Sequence, residues 1–139
     1  MSKITVGGVE LEYFHHGKSI YEPIILIHGA SSSALIWGST QKYLELFGFE
    51  SYAISLRGAG RSKHSAILKD YHPSNYALDV LAFLDALQIE QSIIIGHSLG
   101  TIVSNYIVAN DPERVARLVQ ISGPSPVKTV TSNKTDGLT

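Results

Sequence analysis

Ile93-Ile94-Ile95-Gly96-His97-Ser98-Leu99-Gly100 is the stretch that organises the rest of the chain. Three β-branched apolar residues in a row read as a short strand covered on both faces. Leu99, Ile102, Val103, Tyr106 and Ile107 then recur at helical spacing, and Asp111-Pro112 stops that helix. Between strand and helix stands G-x-S-x-G, in the strand–turn–helix setting that gives this motif its meaning. A residue at the apex of so sharp a turn takes up a strained backbone. Residues two before and two after it pass close to neighbouring backbone, which is the reason for Gly96 and Gly100. The turn, with His97 next to its apex, lifts the Ser98 hydroxyl clear of the sheet. The N–H of Leu99 opens a helix, where donors are unpaired and the dipole is positive. Ser98 is therefore a candidate nucleophile and the Leu99 N–H a candidate oxyanion donor.

Working outward, the same alternation repeats. Ile24-Ile25-Leu26-Ile27 is a buried strand, and a helix is expected after it with Ile36, Thr40, Tyr43, Leu44 and Phe47 on its inner side and Gly48 as its stop. Tyr52–Leu56 is a further strand. Pro73 suits a first helical turn, with Ala77, Val80, Leu81, Leu84 and Leu87 as the apolar stripe. Leu118–Ile121 reads as a fourth buried strand. At the start, Ile4 and Val6 precede Gly7-Gly8, and Val9, Leu11 and Tyr13 alternate with Glu10 and Glu12, the pattern of a hairpin. Strands alternating with helices predict an α/β fold: a mostly parallel sheet with flanking helices and right-handed crossovers, carrying an antiparallel hairpin at its N-terminal side. In such sheets the active site lies at the carboxyl ends of the strands.

Two loops sit at those ends. His28-Gly29-Ala30 follows the first buried strand. Gly29 permits a tight approach, the Ala30 N–H is a candidate second oxyanion donor, and His28 reads as a hydrogen-bonded, loop-shaping histidine rather than a general base. Arg57-Gly58-Ala59-Gly60-Arg61-Ser62 follows the second. It lacks the spacing of a phosphate-binding loop and no helix begins at once, so it reads as a structural turn.

Composition limits the function. The 139 residues are 44% hydrophobic and 17% charged, enough for one domain with a real core. Eleven Lys and Arg against 12 Asp and Glu give a net charge of -1, with no basic excess to bind nucleic acid. There is no cysteine, so thiol catalysis and thiolate metal sites are excluded. No pair of histidines has ligand spacing on a helix, and His15-His16 point to opposite sides of a strand, so neither metal nor cofactor is expected. No apolar run approaches the roughly 20 residues that span a bilayer, and the opening MSKITVGGVELEYF is unlike a secretory signal. A cytoplasmic location is the default expectation, reached by elimination.

Together, His28-Gly29, the Arg57-Gly58-x-Gly60-x-Ser62 turn, the Gly96–Gly100 elbow and Asp111-Pro112-Glu113-Arg114-Val115 resemble the α/β-hydrolase superfamily, in its lipase- and esterase-like branch. The resemblance covers about Thr5 to Lys128, the family's N-terminal half. It implies Ser98 as nucleophile, with Leu99 and Ala30 as oxyanion donors, acting on a small-molecule substrate of ester or acyl type. Family members that open epoxides or remove halogens use Asp at this apex, so Ser98 disfavours those reactions. Where the family often has Asp and His in the turn after the second strand, this chain has Ser55 and Ala59, a change expected to affect loop packing more than chemistry.

The resemblance also implies a triad in the order serine, acid, histidine. All six histidines, His15, His16, His28, His64, His72 and His97, precede or adjoin Ser98. The carboxylates after it are Asp111 and Glu113, in a helix-ending turn, and Asp136; Ser122-Gly123-Pro124 stands where some relatives carry the acid. The catalytic acid and base are thus not identifiable in this chain. The expectation is an incomplete domain over residues 1–128, followed by a disordered tail at 129–139. Its last strand would be an unpaired sheet edge beside an uncovered apolar patch, open to self-association. The alternative is a non-catalytic protein that binds a small molecule or a partner on the same fold.

Overall fold

A computed structural model describes residues 1–124 of the chain. Strands β1 (Ser2–Val6) and β2 (Val9–His16) form the expected hairpin, with Val6 opposite Val9. Gly7 and Gly8 turn it at φ 53° and 80°, positive values that suit a tight two-residue hairpin and favour glycine. β2 continues antiparallel onto β4 (Ser51–Ile54). From there the sheet is parallel: β4 with β3 (Ile24–Ile27), β3 with β5 (Ser92–His97), β5 with β6 (Val115–Ile121). The order across the six strands is β1-β2-β4-β3-β5-β6. Helix α1 (Gly38–Leu46) joins β3 to β4, α2 (Pro73–Ala86) joins β4 to β5, and α3 (Leu99–Asn110) joins β5 to β6. The fold class is the α/β arrangement predicted from the strand–helix alternation.

The period-two geometry of the strands divides their side chains between two faces. On one face Ile25, Ile27, Ile54, Ile94 and Leu11 meet Ala77, Val80, Phe83 and Leu84 of α2 and Val103 and Ile107 of α3, all fully buried. On the other, Ile24, Leu26 and Ala53 meet Ala34 and Trp37, which belong to a 3-10 turn (Ala34–Trp37) leading into α1. Pro73 opens α2 as expected, and the His72 ring accepts the Ser74 N–H to cap it. Among the described residues, no helix is long and apolar enough to cross a membrane.

Two expectations are corrected. The inner side of α1 is carried by Gln41, with Leu44 partly buried, while Ile36, Tyr43 and Phe47 are exposed. The 3-10 turn sets the helix phase, and Gln41 is drawn inward by bonds from its Nε2 to the Phe14 carbonyl (2.9 Å) and Ser51 carbonyl (3.3 Å). β6 is longer than expected and is not buried: Leu118, Val119 and Ile121 are 36–44% exposed. Among the described residues β6 stands at the edge of the sheet and pairs with β5 alone. Glu12, which alternates with the apolar residues of β2, is itself interior, 3% exposed. The tail expected at 129–139, and Asp136 within it, lie outside the described residues.

Candidate active site

β5 ends at His97 and α3 begins at Leu99, so the chain reverses through Ser98 alone. Its backbone sits at φ 52°, ψ -114°, a left-handed value that a side chain takes up only under compulsion. The compulsion is packing. A Cβ on Gly96 would strike the Gly100 carbonyl and stand 2.6 Å from the Ser104 hydroxyl, and one on Gly100 would strike the Ile27 carbonyl. Helix and strand therefore approach closely enough to force the hinge. Hydrogen bonds hold it on both sides. The Ser98 N–H donates to the Ile121 carbonyl (3.0 Å), and the Ser98 carbonyl accepts from the Thr101 N–H (2.9 Å) and hydroxyl (2.7 Å). The N–H of Leu99, first residue of α3, precedes the first intrahelical bond.

The loop after β3 lies against this hinge. A Cβ on Gly29 would stand 3.1 Å from both the Ser98 Cβ and the His97 Nδ1, so glycine allows the contact. His28 shapes the loop from beneath: its Nε2 accepts the Leu56 N–H (3.0 Å), which leaves Nδ1–H to donate to the Gly29 carbonyl (2.7 Å). Burial holds this imidazole below its ordinary pKa, partly opposed by the bond to Gly29. With both ring nitrogens occupied, His28 has no free site for proton transfer.

Beside the hinge is a cavity of about 370 Å³, walled by residues 28–32, Leu56–Gly60, Tyr71, Tyr76 and Leu99. Ala30 and Leu99 are both in its wall; Ser98, next in sequence to Leu99, is half-buried and is not part of the wall itself. Arg57 is fixed there by a two-pronged pair with Asp79, Nε to Oδ2 at 2.8 Å and Nη2 to Oδ1 at 2.7 Å. That bond raises the guanidinium pKa further, so Arg57 stays charged. The Arg57–Ser62 segment closes on itself as a turn, the Gly58 N–H donating to the Lys63 carbonyl (2.9 Å) and the Ser62 N–H to that of Ala59 (3.0 Å). Sequence reading missed Tyr71 and Tyr76 in the wall and Asp79, the partner of Arg57, which come from α2 and the segment before it; nothing local to them signals these roles.

The other candidates are elsewhere. His15 and His16 pair with Glu50 (2.8 Å) and Glu45 (3.3 Å) at the opposite end of the sheet. His72 caps α2 with its ring 5.8 Å from that of Tyr106. His64 lines a separate cavity with Asp70. Asp111 and Glu113 follow the far end of α3. His97 alone adjoins the hinge, and its buried Nδ1 has no partner among the described residues.

A strand, a sharp serine hinge and a helix, with a glycine loop packed on the hinge, define one arrangement. The chain belongs to the α/β-hydrolase fold family. The family model matches residues 22–136. The non-heme chloroperoxidase of Streptomyces lividans is 32% identical over 135 residues, covering 96% of this chain and 48% of that protein. The bifunctional esterase/perhydrolase of Acinetobacter calcoaceticus is 32% identical over 137 residues, again 96% of this chain and 48% of the relative. In structure, an epoxide hydrolase of Vigna radiata superposes with a TM-score of 0.84 at 24% identity, over 88% of this chain and 39% of that one, which speaks to the fold alone. The chain spans about half the length of the curated relatives it matches.

Proposed function

We propose that this chain carries the nucleophile-bearing half of a serine hydrolase for small ester- or acyl-type substrates. Ser98 Oγ attacks the substrate carbonyl carbon, its proton passes to a base, and the N–H groups of Leu99 and Ala30 hold the charge that develops on the carbonyl oxygen. His28 and Gly29 shape the loop that presents Ala30, while Gly96, His97 and Gly100 shape the elbow. The base and its supporting acid are supplied by residues beyond those described, in the portion that the longer relatives possess.

The observation that carries this reading is the forced hinge, φ 52° at Ser98, beside a cavity that already contains Ala30 and Leu99. The similarity to an esterase/perhydrolase supports acyl chemistry. The reading includes self-association through the β6 edge. The second reading, a binding module without catalysis, is favoured by the occupied His28 and by the distant placement of the other histidines.

A fluorophosphonate probe separates the two. Attack by Oγ on phosphorus expels fluoride and leaves a stable adduct. Labelling that maps to Ser98 by peptide mass spectrometry, and is lost in Ser98→Ala, supports the hydrolase reading. A folded chain that stays unlabelled, extended protein included, favours the binding module.

A further inference from the structure

The molecule buries a carboxylate that the chemistry above does not use. Glu12 projects from β2, 3% exposed, into the turn that follows β4. Its Oε1 accepts the Ser55 hydroxyl at 2.8 Å. The Ser55 hydroxyl has a single proton, and this bond commits it to Glu12 and turns the oxygen lone pairs the other way. There the Ser55 oxygen accepts the Ala34 N–H at 3.0 Å. Ala34 closes the loop that begins at His28 and contains Ala30.

The site is built around this contact. The Glu12 N–H donates to the Ser62 hydroxyl (2.8 Å), which donates in turn to the Ser55 carbonyl (2.6 Å), and the Ser55 N–H returns to the Glu12 carbonyl (2.9 Å). Gly60, at φ 52°, makes the room: a Cβ there would strike Glu12 Oε1 and stand 2.7 Å from the Ser55 hydroxyl. His28 ties the start of the same loop to Leu56, one residue on from Ser55. Both ends of the Ala30 loop are therefore referred to one turn, and Glu12 decides which way its end-holding hydroxyl points.

We infer that Glu12 is a positioning residue, acting through Ser55 to hold the loop that presents the Ala30 N–H to the Ser98 hinge. Its importance to reactivity rests on the serine-hydrolase reading; its hold on the loop does not. The test is amide hydrogen exchange by NMR on the 139-residue chain, in Glu12→Gln and Glu12→Met, with labelling by the fluorophosphonate probe measured in parallel.

Gln keeps one oxygen acceptor and replaces the other with an amide nitrogen, and Met removes the acceptor at similar length. The Ala34 N–H should exchange about threefold faster in Glu12→Gln and about tenfold faster in Glu12→Met, while the amides of Leu56 and Ile107 stay at wild-type rates. That grading, with partial rescue by Gln, is what general loosening would not produce. Should Glu12→Met fail to fold, the near-isosteric Gln variant decides alone. Wild-type exchange at Ala34 in the folded variants, or an increase spread equally over Leu56 and Ile107, overturns the assignment. A Ser98 that stays unlabelled in the longer protein that carries the base as well as in this chain, with Ala34 released as expected, would overturn the hydrolase reading and leave the role of Glu12 in the loop standing.

Discussion

The two faces of the sheet are finished to different degrees. Under α2 and α3, Ile25, Ile27 and Ile94 lose all contact with solvent, and this face opens at β6, where Leu118, in register with Ile94, is 36% exposed. On the face that α1 covers, burial is complete for Leu26 and Ala53 but only partial for Ile93 and Ile95 one strand further on. Beyond them Val119, in register with Ile95, is 44% exposed, and Ile121, in register with His97, is 41% exposed. The hinge at Ser98 lies where the two conditions meet. Its strain is held by the closed face, through Gly100 against Ile27, and by one bond to the open margin, from its N–H to Ile121. A chain whose fold is stabilised on one side can keep a strained serine while the other side remains available for additional structure or a partner.

The sharpest way to break this contrast is a matched pair of substitutions. Phe83→Ala on the closed face empties a fully buried site and should cost about 4 kcal/mol. Val119→Thr on the open face should stay within about 0.5 kcal/mol. Urea unfolding of both reads the difference, and similar costs would show that the open margin is as fully packed in solution as the closed face. Next in size is Gly100→Ala. Its added methyl meets the Ile27 carbonyl, a backbone atom that cannot swing aside, and the expected loss is about 3 kcal/mol.

Ser98→Gly tests the same hinge with the opposite sign. Glycine accepts φ 52° without penalty, so the variant should gain about 1 kcal/mol in urea unfolding while losing any labelling at that position. A loss of stability would show that the hydroxyl contributes more to the fold than the backbone strain costs.

How much of this was legible in the sequence follows from where each signal resides. The elbow, the hairpin and the faces of α2 and α3 are local patterns: Gly-Gly between alternating runs, glycines two residues either side of Ser98, apolar residues at helical spacing. The elbow, the hairpin and the α2 stripe appear in the structure as read; on α3, Val103 and Ile107 are buried as read, but Thr101 and Ser104 are buried beside them and Ile102 is not. The phase of α1 was not legible, because Gln41 is held inside by carbonyls from β2 and β4. The exposure of β6 depends on what packs beside it, which its apolar residues do not encode. Glu12 was hidden most deeply. In an alternating strand it reads as a solvent-facing charge, and only the close return of Ser55, Gly60 and Ser62 makes it an interior acceptor. The Ser55 found where the family often has Asp is thus supplied with a carboxylate from another strand.

The smallest expected effects concern acid and the open edge. His28 has a folded-state pKa below its unfolded value of about 6.5, so its contribution to stability is complete above that pH. As pH falls below about 6.5 the unfolded chain takes up the proton first, and stability declines until the lower folded pKa is passed. His28→Gln should remove this part of the slope, seen as a smaller drop in the urea midpoint between pH 7.5 and 5.5 than the wild type shows; an unchanged drop would assign the acid sensitivity to other groups. At the margin, Val119→Lys places a charge on the strip formed with Ile95. Charges are a standard means by which exposed strands avoid pairing. Sedimentation should show concentration-dependent association of the wild-type chain and a shift toward monomer in Val119→Lys, with unfolding stability changed by no more than about 0.5 kcal/mol. A wild-type chain that stays monomeric at all concentrations would mean that the open margin, though apolar, does not pair with copies of itself, and the contrast between the two faces would then rest on packing alone.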